Sequence, residues 1–239
     1  MAVLPPGAAV LPDPDAVARA AADHIVAAAQ ASDRVALCLS GGSTPRRLYA
    51  LLAGEYRDRV PWERLHLFFG DERVGDTPEA GSNARMVAEA FGSDSPVPPG
   101  HLFPIPIDGT PEDCAGAYEA TLRGVYGAGT LTPERPLFDL VLLGLGEDGH
   151  TASLFPGKPA VEEDSAWVVG VPEAGLAPFV PRVSLTLPAL AATRRMLFLV
   201  TGAGKVEPLA RLAAGENLPA GRARAWGETV WLLDEAAAG

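Results

Sequence analysis

Residues 144–157 read GLGEDGHTASLFPG and set Glu147, Asp148 and His150 among four glycines, directly after the apolar run FDLVLL. An imidazole titrates near neutrality, and a carboxylate two residues away in an extended turn can fix its tautomer or raise its basicity. His150 is therefore a candidate general base, with Asp148 as the group that orients it. A second stretch, SGGSTP at 40–45, suits an anion: glycines admit close backbone approach, Ser43 and Thr44 offer hydroxyls, and a following helix points its positive end at the loop. In FFGDER, the Arg73 guanidinium can fork onto phosphate or carboxylate oxygens, with Asp71 and Glu72 orienting it or binding sugar hydroxyls. Taken alone, that charge run reads as a solvated surface.

Other chemistries fit these residues less well. Gly144, Gly146 and Gly149 satisfy G-x-G-x-x-G after a strand, the barest dinucleotide fingerprint. Yet Glu147 and Asp148 stand where pyrophosphate would meet the backbone, and Pro156 and Pro159 interrupt the helix that motif requires. A metal held by Glu147, Asp148 and His150 lacks further ligands at a recognisable spacing, since Cys38 and Cys114 form no CxxC pair. SGGSTP is followed by no Gly-Lys-Ser/Thr and ends in proline, so it is neither a Walker loop nor a serine nucleophile elbow. Ser153 reads as a helix-start cap.

The elements that must position these loops alternate between helix and short apolar strand, the pattern of a mostly parallel sheet flanked by helices. Asp13 and Pro14 open a helix to about residue 31, followed by a strand at 34–39 and a helix at 46–53. LHLFF at 65–69 reads as a strand, GDERV as a loop, and SNARMVAEAF as a helix capped by Ser82. Loops are expected at 95–111 and 127–136, with EDCAGAYEATLRGVY helical between them and FDLVLL a central parallel strand. RVSLT and RMLFLVT are further strands, AGKVEPLARLAAG a helix, and TVWLL a closing strand. The candidate loops all follow strands, and in open parallel sheets the ligand crevice lies outside the carboxyl ends of the strands. With no repeat and no separating linker, residues 1–239 are expected to form one α/β domain.

Composition narrows the partners. The 19 basic and 30 acidic residues give a net charge of -11, which opposes a nucleic-acid or anionic-membrane surface but leaves room for a small anion held by a few focused cations. The N-terminal MAVLPPGAAVLPDPD lacks a basic n-region and a long apolar stretch, so a cytoplasmic protein is expected. The two cysteines read as buried thiols rather than a disulfide, and nothing calls for an obligate protein partner.

SGGSTP, GDER followed by GSN at 81–83, FDLVLLGLGEDGHTASLFPG, PRVSLTLPAL and TGAGK resemble, in this order, the successive motifs of the 6-phosphogluconolactonase family. The resemblance covers the chain from residue 38 to residue 205, and the final VWLLDEAA suits the same family. It implies a fold similar to that of glucosamine-6-phosphate deaminase and ribose-5-phosphate isomerase, hydrolysis of the phosphosugar lactone 6-phospho-D-glucono-1,5-lactone in the pentose phosphate pathway, and no metal or organic cofactor. It also suggests roles: His150 as base with Asp148 behind it; Arg73 and Lys205 on the phosphate; Gly42, Ser43 and Thr44 as N–H and hydroxyl donors; Arg182 near the phosphate or the developing oxyanion. The related deaminases continue their DGH block with Ile-Ala-Phe-Asn-Glu-Pro, whereas this chain has Phe155, which cannot transfer a proton, at the glutamate position. A non-catalytic sugar-phosphate sensor would be expected to carry a helix-turn-helix or basic arm, and neither is present.

Overall fold

The computed structural model describes residues 4–75 and 81–239. In chain order the elements are β1 (Ala8–Leu11), α1 (Pro14–Ala31), β2 (Val35–Leu39), α2 (Ser43–Ala53), β3 (Leu65–Phe69), β4 (Asp71–Arg73), α3 (Asn83–Phe91), β5 (Leu102–Phe103) and α4 (Pro111–Tyr126). They continue with β6 (Phe138–Leu143), β7 (Val168–Val171), β8 (Arg182–Leu185), α5 (Leu187–Ala191), β9 (Thr193–Val200), α6 (Val206–Ala213), α7 (Pro219–Arg222), β10 (Glu228–Asp234) and α8 (Glu235–Ala238).

Seven strands form the central sheet in the order β1-β10-β9-β6-β2-β3-β5, and every pairing in it is parallel. The α/β class with flanking helices is therefore as the alternating pattern indicates. α1 follows from local chemistry: the Asp13 side chain accepts the Ala16 N–H at 2.8 Å, Pro14 begins the helix, and Val17, Ala18, Ala21, Ala22 and Ile25 form its buried stripe. β6 is buried along most of its length and lies mid-sheet, between β9 and β2.

The sheet order also creates the crevice. β2 and β6 are neighbours, but the next strand of this sheet after β2 is β3 on one side, whereas after β6 the chain passes through β7 and β8 of a second sheet before β9 on the other. Loops that diverge in this way leave a gap between them, the usual place for a ligand in an open α/β sheet. Two buried tyrosines secure the strand ends nearby. The Tyr49 hydroxyl accepts from Ser40 N–H at 3.0 Å and donates to Ser40 O at 2.8 Å, and the Tyr118 hydroxyl does the same at Phe69 at 2.9 and 3.2 Å. Each satisfies backbone groups that would otherwise be buried without a partner.

Some expectations change. GDERV is not a loop, because Asp71–Arg73 forms β4, which pairs antiparallel with β8 in a second, three-stranded sheet ordered β4-β8-β7. RVSLT is a strand, but it lies in that small sheet. Ser153 caps no helix; its hydroxyl donates to Asp71 Oδ2 at 2.6 Å, and its N–H donates to Ser184 Oγ at 3.2 Å. The helix after GGSTP starts at Ser43 rather than 46, and β1 and β7 carry no strong strand signal. No helix among the described residues is long and apolar enough to cross a membrane.

Candidate active site

The DGH loop is folded around the histidine. Gly146 N–H donates to His150 O at 2.8 Å, and Gly149 N–H donates back to Gly146 O at 3.0 Å. A Cβ on Gly146 would lie 2.0 Å from His150 Nδ1, while Gly149 has φ +90° and would place a Cβ 2.7 Å from Leu218. The glycines thus serve the close packing of the imidazole and the turn, not a dinucleotide. Asp148 Oδ1 accepts the His150 backbone N–H at 3.0 Å and lies 2.5 Å from His150 Nδ1. Burial pushes the Asp148 carboxyl up, but the hydrogen bonds from the His150 side chain and backbone outweigh it and hold the group below its ordinary value. An ionised carboxylate can only accept, so Nδ1 bears a proton, and the tautomer with no second proton leaves Nε2 as an acceptor.

Two arginines face one another across the small sheet, since Arg73 and Arg182 are register partners on β4 and β8. Like charges in directly opposed positions repel, and Arg182 is only 6% exposed. Burial lowers its pKa, the Asp71 carboxylate opposes that shift, and Arg73 reinforces it. Among the described residues three buried side-chain nitrogens lack a partner: His66 Nδ1, Arg73 Nε and Arg182 Nε. Two of the three belong to this pair, and both arginines line the cleft, where guanidinium groups suit an anion.

Asp71 and Glu72 are buried, in contrast to a solvated charge run. Glu72, at 1% exposed, accepts the N–H groups of Arg73, Asn83 and Ala84 at 2.8–2.9 Å and the Ser82 hydroxyl at 3.0 Å. Its charge is therefore met by the positive N-terminus of α3. Asn83 donates to Asp71 O and Oδ1 at 2.8 and 3.1 Å while its own Oδ1 accepts from Arg73 Nη1 at 2.8 Å. The carboxylates and Asn83 form a scaffold that holds Arg73.

On the opposite wall, Gly42 precedes α2 with φ +107°, and the first-turn amides of Ser43 and Thr44 belong to the orphan donors of a helix start. Thr44 Oγ1 lies 2.7 Å from Thr201 Oγ1, which ties this loop to the end of β9. The Gly202 N–H donates to both carboxylate oxygens of Asp234 at 2.9 and 3.1 Å, fixing the loop that carries Lys205.

Gly42, Ser43, Thr44, Arg73, His150, Arg182 and Lys205 all line one cleft of about 410 Å³, and Asp148 stands behind the imidazole. Every predicted site residue is thereby brought to one place. Sequence reasoning assigned no site role to Asn83, Asp234 or Phe155. The first two carry a signal, a buried polar residue at a helix start; Phe155 carries none locally. Among the described residues no three His, Cys, Asp or Glu side chains cluster as a metal site.

Residues 12–231 match the family described as glucosamine-6-phosphate isomerases/6-phosphogluconolactonase. The chain is 38% identical over 208 residues to a 6-phosphogluconolactonase of Synechocystis, covering 84% of this chain and 82% of that one. It is 34% identical over 238 residues to a 6-phosphogluconolactonase of Nostoc, with 95% of each chain covered. Among solved structures, 6-phosphogluconolactonase from Trypanosoma cruzi superposes with a TM-score of 0.85 at 32% identity, covering 100% of this chain and 97% of that one. A monomeric glucosamine-6-phosphate deaminase shares the fold, with a TM-score of 0.80 at 18% identity over 97% of this chain and 98% of that one. The chain belongs to the glucosamine-6-phosphate isomerase/6-phosphogluconolactonase family.

Proposed function

We propose that the chain, working as one domain, hydrolyses 6-phospho-D-glucono-1,5-lactone to 6-phospho-D-gluconate, the lactone-opening step of the oxidative pentose phosphate pathway, with His150 as general base. One observation carries this reading: an imidazole with Nδ1 tied to a carboxylate lines the same cleft as two arginines, Arg73 and Arg182. The first group can activate water, and the second can hold a phosphate.

In this mechanism Nε2 takes a proton from water as the water oxygen bonds to the lactone carbonyl carbon. Asp148 stabilises the imidazolium that forms. The tetrahedral intermediate collapses with cleavage of the bond to the ring oxygen, which receives the proton back from Nε2, so water is added and nothing else is consumed. A six-membered lactone is already an activated ester, and no covalent nucleophile is required. General-base help of this kind contributes about 10²- to 10⁴-fold. Arg73 and Lys205 hold the phosphate with N–H and hydroxyl donors of Gly42, Ser43 and Thr44, and Arg182 serves the phosphate or the developing oxyanion. These few cations create a local positive field in a chain of net charge -11.

Phe155 favours lactone hydrolysis over deamination, because no proton-transferring side chain stands at that position. The test is proton release from the lactone at several enzyme concentrations. A rate proportional to enzyme above the spontaneous rate supports the reading; none above background, with turnover of another phosphosugar, overturns it.

A further inference from the structure

We infer that Phe155 is a positioning residue for the base: its buried ring sets the plane in which the His150 imidazole presents Nε2 to the cleft. This rests on the reading of His150 as the base.

The hydrogen bond between Nδ1 and one oxygen of Asp148 restrains the imidazole at one edge. Rotation about Cβ–Cγ is limited further by contact with a face of the ring. Phe155, 1% exposed, supplies that contact, with its centroid 4.6 Å from the imidazole centroid and the two planes tilted by 40°. The backbone at Gly146 lies close on another side, where an added Cβ would come 2.0 Å from Nδ1. The imidazole is therefore wedged. The Phe155 ring is itself held, since a Cβ on Gly175 would lie 2.7 Å from Phe155 Cβ and 2.9 Å from its Cγ. The Gly175 backbone needs no positive φ, so what glycine provides there is space.

The same ring also meets the Arg182 guanidinium, at 5.5 Å. That distance is near the outer limit of about 6 Å for a useful cation–π contact. Arg182 keeps a hydrogen bond to Pro178 O at 3.2 Å and its place on β8, so loss of the ring affects the base more than the cation. An imidazolium forming beside a π face is also favoured by the ring quadrupole.

Phe155→Leu removes the flat face while keeping the site apolar, and Gly175→Ala keeps the ring but forces it to shift. For each variant, kcat for the lactone is measured with background correction, together with the Kd of 6-phosphogluconate. The expected result is a kcat lowered about 3- to 10-fold, the scale of an aromatic contact, with Kd within about twofold of wild type. Phe155→Tyr, which restores a ring, is expected to recover most of the rate. A native kcat in Phe155→Leu overturns the inference. So does a parallel loss of kcat and affinity, which marks a purely structural role. Should Phe155→Leu fail to fold, Gly175→Ala decides on the same two readouts. A near-native kcat in His150→Ala removes the underlying base reading, whatever Phe155 does.

Discussion

Asp148→Asn separates the charge of the dyad from its shape. Asparagine keeps a side-chain oxygen where Asp148 Oδ1 now accepts both the ring Nδ1–H at 2.5 Å and the backbone N–H at 3.0 Å, so the turn has no steric reason to change. What disappears is the negative charge that stabilises the imidazolium. A charge-assisted hydrogen bond exceeds a neutral one by about 1.5 kcal/mol, which sets a lower bound of about 10-fold in rate. Two unit charges about 4 Å apart at an effective dielectric of about 20 interact by about 4 kcal/mol, which sets an upper bound of about 10³-fold. Background-corrected kcat is therefore expected to fall between these limits while the Kd of 6-phosphogluconate stays within about twofold, because Asp148 stands behind the imidazole rather than on the cleft wall. The bond also has a pH signature. A carboxylate held below its ordinary value contributes stability that is present above its unfolded pKa of about 3.9 and is lost as pH falls through the lower folded value. The stability gap between wild type and Asp148→Asn should thus be full near neutrality and close in strong acid. Near-native kcat in the variant, with Kd unchanged, would refute the reasoning.

Arg73→Ala should act on binding: loss of a charge-assisted contact worth roughly 1.5–3 kcal/mol weakens 6-phosphogluconate affinity about 10- to 150-fold, and calorimetry showing native affinity would remove Arg73 from the phosphate site. Exhaustive chelation is expected to leave lactone hydrolysis unchanged, because among the described residues no metal-binding cluster is present; loss of activity that one added metal restores would contradict this. Glu72→Ala leaves the N–H groups of Arg73, Asn83 and Ala84 without their acceptor. The cost is about 3 kcal/mol or more, a fall in Tm of about 6–12 °C for a chain of this size, and an unchanged Tm by calorimetry would show that the carboxylate is not needed there.

The parts of the site that were legible are those encoded locally. FDLVLL is a continuous apolar run and can hardly be anything but a buried strand, and the glycine-rich stretch after it must turn at the sheet edge, so His150 and Asp148 were placeable by adjacency. SGGSTP likewise signalled a turn into a helix, although that helix starts at Ser43, three residues before the expected position. GDER misled because its pairing is distant: three charged residues look solvated until β8, more than a hundred residues later, covers them and α3 supplies the N–H groups that Glu72 accepts. Ser153 misled likewise, since a hydroxyl near a turn suggests a cap, whereas its partner Asp71 comes from far along the chain. Ala152, the described non-glycine residue at positive φ, turns the chain toward that contact, and no residue type announces it. The contact of Phe155 with Gly175 depends on a loop whose path has no sequence period.

The central claim, that the imidazole of His150 removes the water proton, is tested most directly by the background-corrected kcat of His150→Ala at several enzyme concentrations. A base predicts a fall of about two to four orders of magnitude with 6-phosphogluconate affinity nearly unchanged. A kcat close to wild type would make the histidine structural and move the search for the base to Asp148 or Glu147.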